Sequence, residues 1–277
     1  MKVTLCGTRG SVGRAGGRTV RYGGDTSSVA VQGNDGDLLV LDAGSGITNV
    51  HDLIDPSTSR IDILLTHLHM DHIQGLGFFR PLFNPDIETH IWGPVSTTAG
   101  LAKRLSRYLS PPLFPVRLRD LNSLHLHDVL PPGAFSLPGF EVTADLVIHP
   151  GPTLGYRIDE NGHSLAYLPD HEPALGSPDM NDSSRWLSGY GLIKGVEILI
   201  HDAQYTAEEY RIKVGWGHST YDQCLALSRR GEVGTLVTFH HDPEHSDEEL
   251  DRFHQEISER EQGVVIEPGL AGAVFTL

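Results

Sequence analysis

Residues 61–72, Ile61-Asp62-Ile63-Leu64-Leu65-Thr66-His67-Leu68-His69-Met70-Asp71-His72, run from an apolar segment straight into a cluster of imidazoles and a carboxylate. The apolar segment has the length and composition of a buried strand, so the polar groups fall just past a strand's end. His67 and His69 are two residues apart. On a helix they would point to nearly opposite sides, so they share an ion only from an extended or looped backbone. Asp71 and His72 then face the other way across the same loop. That suits a second ion about 3.5–4 Å from the first, as in two-metal hydrolytic sites. The competing interpretation is a surface loop in a chain where 16 of 277 residues are histidine, and the pattern of residues downstream argues against it.

The same local grammar, an apolar strand ending in a metal-competent side chain, recurs three times. Leu146-Val147-Ile148 runs into His149, Leu165-Ala166-Tyr167-Leu168 into Pro169-Asp170, and Leu236-Val237-Thr238-Phe239 into His240. Any one of these could be a turn or a helix cap. Together they supply what two ions need: neutral imidazoles for each and a carboxylate able to bridge.

These motifs resemble the metallo-β-lactamase fold superfamily, and within it the phosphodiesterase branch that includes ribonuclease Z and the phosphoribosyl and cyclic-nucleotide phosphodiesterases. The resemblance spans most of the chain. It covers Gly-Thr-Arg-Gly at residues 7–10, the run from His67 to His72, His149-Pro-Gly-Pro-Thr-Leu-Gly-Tyr156 and Tyr167-Leu-Pro-Asp170. It continues through His201-Asp202-Ala-Gln-Tyr-Thr206, Gly217-His218-Ser219-Thr220 and His240-His241-Asp242-Pro243. The histidine signature alone indicates the superfamily. Asp202 and His218 indicate the branch, because they match the acidic residue and the histidine of ribonuclease Z's His-Glu-Ala-Thr and His-Ser-Thr elements.

The resemblance implies a four-layer αββα sandwich of the α/β class, with residues 1–277 forming one hydrolase domain. It implies that His67, His69 and His149 hold one divalent metal, zinc or alternatively manganese, and that Asp71, His72 and His240 hold a second. Asp170 bridges the two. His240 is preferred to its neighbour His241 because the family pattern places a proline three residues after the ligand, here Pro243. His241 then points away from the site. Asp71, Asp202 and His218 are the implied catalytic residues. Hydroxide generated at the metals attacks phosphorus, and His218, kept protonated by Asp202, delivers a proton to the leaving oxygen. Asp202 stands where ribonuclease Z has glutamate, so its reach to His218 is one methylene shorter. His201 is expected to be a structural neighbour.

Composition bounds the substrate and the compartment. A chain with 39% hydrophobic residues can bury a full core at this length. No stretch approaches the roughly 18 apolar residues of a membrane span, and Met1-Lys2-Val3-Thr4-Leu5 lacks a signal peptide's apolar region, so a cytoplasmic protein is expected. Cys6 and Cys224 are far apart and outside any CxxC arrangement, which favours two reduced, packed thiols. A net charge of −15 opposes binding to a large nucleic acid, because polyanion binding relies on many Lys and Arg contacts. A small anionic phosphodiester can be drawn to the metals alone.

The glycine-dense segment from Gly7 to Ser28 lacks the Gly-Lys-Ser/Thr ending of a P-loop, so it is read as turns between the first strands. Residues 80–125 read as a mixed helical and proline-bearing insertion beside the metal loop, with a cap over the site and a solvated linker as equal alternatives. Thr220 with Gln223, and Ser246 with Glu249, are capping boxes that open two helices; Gly231 ends the first, and Leu250, Phe253 and Ile257 line the second's core face.

Three functions fit these residues. The first is hydrolysis of a small cyclic phosphodiester, with 3′,5′-cyclic nucleotides ahead of a phosphoribosyl 1,2-cyclic phosphate. The opening and Gly-Trp-Gly-His-Ser-Thr at residues 215–220 resemble bacterial and phage proteins that degrade cyclic nucleotides, including those of the anti-Pycsar type that counter cyclic-nucleotide defence. The second is RNA 3′-end cleavage, which shares the motifs but would need a basic arm that the sequence does not display. The third is a non-catalytic nucleotide-binding scaffold. The branch also implies a homodimer.

Overall fold

Strands with almost no polar residue need cover on both faces, and Leu38–Leu41 is such a strand, with every residue buried. In a computed structural model, which describes residues 1–175, 180, 183–261 and 263–277, it lies inside the first of two seven-stranded sheets. That sheet contains β1 (Lys2–Gly7), β2 (Ser28–Gln32), β3 (Leu38–Leu41), β4 (Arg60–Leu64), β5 (Glu88–Pro94) and β6 (Leu124–Val129) in spatial order. From β3 to β6 the pairing is parallel. The second sheet contains β7 (Gly133–Leu137), β8 (Phe140–Leu146), β9 (Leu154–Glu160), β10 (His163–Leu168), β11 (Ile198–Asp202), β12 (Thr235–Phe239) and β13 (Val265–Pro268). It is antiparallel up to β10 and parallel beyond. A last strand, β14 (Val274–Thr276), returns to pair with β1.

The sheets face each other across a shared core that includes Leu39, Leu41 and Leu64 from the first and Tyr156, Ile158, Tyr167 and Ile200 from the second. A second core lies on the outer face of the first sheet and a third on the outer face of the second. The helices are α1 (Met70–Ile73), α2 (Leu101–Leu105), α3 (Tyr190–Ile193), α4 (Ala207–Tyr210), α5 (Tyr221–Arg230) and α6 (Asp247–Arg260). The layering is the αββα sandwich expected from the sequence. On β8, Phe140, Val142 and Ala144 are buried while Glu141, Thr143 and Asp145 are exposed, the period-two pattern of a strand with one wet face.

The capping boxes at Thr220 and Ser246 both form, and Gly231 is the C-cap of α5. Leu250 and Ile257 are buried on α6, with Phe253 packed against the same core. Cys6 and Cys224 are separate buried thiols. No helix among the described residues is long and apolar enough to cross a membrane.

Three local expectations change. Residues 80–125 are not simply an insertion, because they contain β5, paired on both sides within the sheet. Asp71 and His72 lie on the single turn of α1 rather than in an open loop. The strand before His149 stops at Leu146, and residues 147–153 form a turn closed by the Val147 N–H donating to the Thr153 carbonyl at 3.0 Å.

Candidate metal centre

In a sheet with parallel strands, side chains just past the carboxyl ends collect in one crevice. β4 delivers His67 and His69, and the first turn of α1 adds Asp71 and His72. His69 is the N-cap of α1, with extended backbone at φ −68° and ψ 153°. That geometry turns the chain between the two pairs of side chains. From the other sheet come Asp170 after β10, His240 after β12, and His149 from the turn after β8. His240 holds φ +57°, a left-handed turn that ends the strand and aims its ring inward.

Asp170 sits between two groups of donors. Its Oδ2 lies 3.7 Å from His67 Nε2 and 3.5 Å from His149 Nε2. Its Oδ1 lies 2.9 Å from His72 Nε2 and 3.1 Å from His240 Nε2. His69 Nδ1 is 3.2 Å from His149 Nε2, and Asp71 Oδ2 is 3.3 Å from His240 Nε2. Among the described residues here, three sets of donor atoms are compact enough to hold a cation: His67, His69, His149 and Asp170; Asp71, His72, Asp170 and His240; and, beside them, Asp202, His218 and His240.

The far nitrogens of these rings are already engaged. His72 Nδ1 meets Asp42 Oδ2 at 2.7 Å, His149 Nδ1 meets the Gly217 carbonyl at 2.9 Å, and His240 Nδ1 meets Gln204 Oε1 at 3.2 Å. An oxygen on one ring nitrogen places the proton there and leaves the other as a lone pair, the arrangement that orients metal-ligating histidines. The inward atoms suit a cation. His67 Nε2 is buried with no hydrogen-bond partner among the described residues, and His72 Nε2 and Asp170 Oδ1, although 2.9 Å apart, are not aligned as a hydrogen bond. Each such atom costs about 1–3 kcal/mol, and a divalent cation suits this N and O donor set.

Electrostatics divide the cluster. Burial, reinforced by the neighbouring imidazoles, pushes His67 well below the ordinary histidine range. Burial would also lower His72, but the carboxylates of Asp170, Asp71 and Asp42 override it and raise that ring. Burial would raise Asp170, yet the imidazoles of His240, His72 and His67 hold it well below the usual carboxylate range.

Beside this cluster, His218 Nδ1 is 2.7 Å from Asp202 Oδ2. The shorter side chain reaches because Asp202 is the last residue of β11 and His218 immediately precedes the Ser219–Thr220 cap of α5. The His218 ring stacks on His240 at 5.1 Å, at an interplanar angle of 16°. Burial alone would lower its pKa; Asp202, with Asp170 and Asp71 adding to it, raises it instead. His201 is buried and its Nε2 meets His171 Nδ1 at 2.8 Å. His241, fully buried, points away from the cluster, its Nε2 bonding the Gly269 carbonyl.

A cavity of about 590 Å³ opens against His67 and His69. Its far wall includes Arg107, Tyr108 and Leu113, with Leu68 and Met70 on the near side. Arg107 has no ion pair among the described residues. Part of the 80–125 segment therefore lines the space next to the centre.

Several contributors were not singled out from the sequence. Asp42 follows β3 directly, as His149, Asp170 and His240 follow their own apolar runs, so the signal was present. It accepts from Thr66 N at 2.7 Å and from Tyr167 Oη at 3.1 Å as well as binding His72. The glycine-rich opening also reaches the site. Ser11 N donates to Asp71 Oδ2 at 2.7 Å, and a Cβ on Gly10 would lie 2.4 Å from the His240 ring. Glu172 is buried and accepts from Gly215 N and Gly217 N at 3.1 and 3.0 Å, fixing the loop before His218.

The fold and the donor clusters define a metallo-β-lactamase-type sandwich whose centre is built for divalent cations. The sequence pattern of the Beta-lactamase superfamily domain matches residues 38–241, and the chain belongs to this family. A ribonuclease Z from Mycobacterium avium (strain 104) is 27% identical, covering 88% of this chain and 86% of its own length. Human tRNase Z, short form, superposes with a TM-score of 0.69 at 20% identity, over 100% of this chain and 99% of that one. The metallo-beta-lactamase fold protein YhfI from Bacillus subtilis superposes with a TM-score of 0.73 at 16% identity, over 99% of each chain.

Proposed function

We propose that the protein hydrolyses a small cyclic phosphodiester, with a 3′,5′-cyclic nucleotide as the first candidate and a phosphoribosyl 1,2-cyclic phosphate as the second. The protein is a metal-dependent hydrolase of phosphoric diesters. The observation that carries the narrower substrate is the cavity beside His67 and His69. At about 590 Å³ it falls within the range of small-molecule sites, about 300–1,000 Å³. It offers two guanidinium groups, Arg107 and the Asp128-paired Arg104, and the phenol ring of Tyr108 to an anionic and planar ligand. The net charge of −15 adds to this by opposing a polyanion.

In this proposal His67, His69, His149 and Asp170 hold one ion, and Asp71, His72, His240 and Asp170 the other; zinc suits the donors, with manganese the alternative. Two divalent ions supply Lewis acidity, neutralise phosphoryl oxygens and make water a nucleophile near neutral pH. The chain's own groups do the rest. Asp170 and Asp71 hold negative charge at the centre, Asp42 fixes the tautomer of His72, and His218 gives its proton to the departing alkoxide while Asp202 supports the charged ring. The whole chain acts as one domain, in the cytoplasm and as a homodimer.

A second reading, RNA 3′-end cleavage, is favoured by the ribonuclease Z relative that matches along 88% of this chain. A turnover screen of cyclic mononucleotides, phosphoribosyl cyclic phosphate and a transfer-RNA precursor separates the two. Rapid hydrolysis of a cyclic mononucleotide with the precursor left intact is the expected result; maturation of the precursor alone rejects the small-substrate proposal.

A further inference from the structure

Away from the centre, the sheet corner formed by β5 and β6 carries a second histidine cluster. His90 on β5 and His125 on β6 are register partners in the parallel pair, and their rings stack at 4.5 Å and 20°. One donor atom each from Glu88, His90 and His125 lies within 4.8 Å of the others. We propose that Glu88, His90 and His125 form a peripheral site for a zinc-class divalent ion, distinct from the catalytic pair.

The hydrogen bonding prepares His90 for this role. Its Nδ1 meets His127 Nε2 at 3.0 Å, and His127 is itself held by stacking on Trp92 at 3.9 Å. With the shared proton on His90 Nδ1, Nε2 is a lone pair. That atom is buried, has no hydrogen-bond partner among the described residues, and stands 3.6 Å from Glu88 Oε2. In this tautomer a lone pair faces the Glu88 carboxylate, an arrangement that a cation between them relieves and that the proposal requires; in the other, Nε2–H points at Glu88. The neighbouring carboxylate cannot serve, because Asp62 is committed to Arg60 at 2.8 and 3.0 Å and to Trp92 Nε1 at 2.9 Å. That pairing also neutralises Arg60, the nearest positive charge. Glu88 and His125 are exposed, so their side chains are free to close on the ion and leave a position for water. Ligation by register partners would tie β6, an edge strand, to its neighbour.

Zinc per chain, counted after equilibrium dialysis against buffered free Zn²⁺, tests the site. A protein carrying Glu88→Gln and His125→Asn is expected to bind one ion fewer than the unsubstituted chain, with its rate of phosphodiester hydrolysis unchanged. Equal counts overturn the proposal. The comparison is a difference, so it holds whether the catalytic centre takes one ion or two. A second readout uses Trp92 as the only indole, after Trp186→Phe and Trp216→Phe. Co²⁺ titrated into the metal-free protein is expected to quench Trp92 emission in a step that His125→Asn removes. A titration unchanged by His125→Asn also overturns the proposal.

Discussion

His218 lies close to the donor cluster, but the proposed roles give it a proton to donate and no ion to hold. His218→Ala is therefore expected to slow hydrolysis of a cyclic nucleotide by about 10²–10⁴-fold, the usual cost of losing a general acid, with both metals retained on elemental analysis. The same protein should lose far less on bis(p-nitrophenyl) phosphate, whose leaving group departs unprotonated. Equal losses on both substrates reject the acid role. The sign of the pH effect follows from the raised pKa of His218, to which Asp202 is the largest upward contributor. Activity that needs the protonated ring is full below that pKa and lost as pH rises through it. Asp202→Asn removes the supporting charge, lowers the pKa and moves the alkaline limb of the cyclic-nucleotide profile to lower pH. Asp42 acts through His72, at 2.7 Å, so Asp42→Asn is expected to weaken metal affinity by about 10–100-fold, as loss of such an orienting partner does; calorimetric titration measures it. At this scale the sequence was most informative where chemistry is rare. Histidines and acids after apolar runs stood out, and all of those named converge. Asp42 obeyed the same pattern, but an aspartate after a strand is too common in turns to be distinguished without its partners.

Short-range elements were legible for a physical reason: a capping box is decided within four residues, and Thr220 and Ser246 form theirs as the sequence indicates. β5 was obscured because its neighbours in sequence are prolines and charges, while its reason to be a strand lies in distant β4 and β6. The opening segment was obscured in the same way. Its glycines read as turns, yet Gly10 passes so near His240 that a Cβ would sit 2.4 Å from the ring. Gly10→Ala is expected to displace His240 and reduce bound metal by up to one ion per chain, with the fold retained by circular dichroism. A full metal complement in that variant would show that the backbone yields instead of the ring.

Across the whole molecule, the proposed ligands of the central ions come from both sheets, so those ions should report on global stability. A ligand present at 100 times its Kd contributes about 2.7 kcal/mol, and about 2–4 °C per kcal/mol is typical for a chain of this size. Chelation is therefore expected to lower Tm by about 5 °C or more, reversed by added Zn²⁺; a Tm indifferent to chelator contradicts ligation across the sheets. Light scattering at micromolar protein should give a dimer mass, and a monomer mass rejects that assignment. The two-sheet plan followed from the family resemblance of the motifs, whereas the return of β14 to β1 was not legible, because three residues carry too little pattern. The division of the proposed ligands between the sheets has one more consequence. His67, His69, Asp71 and His72 precede the short link at residues 130–132, and His149, Asp170 and His240 come after it. Leu130 in that link is 72% exposed. Severed there, the chain becomes a complementation pair: neither fragment carries the full ligand set of the proposed catalytic centre, β14 of the second supplies a docking strand for the first, and recovered hydrolysis in added zinc becomes a direct signal that the two fragments have met.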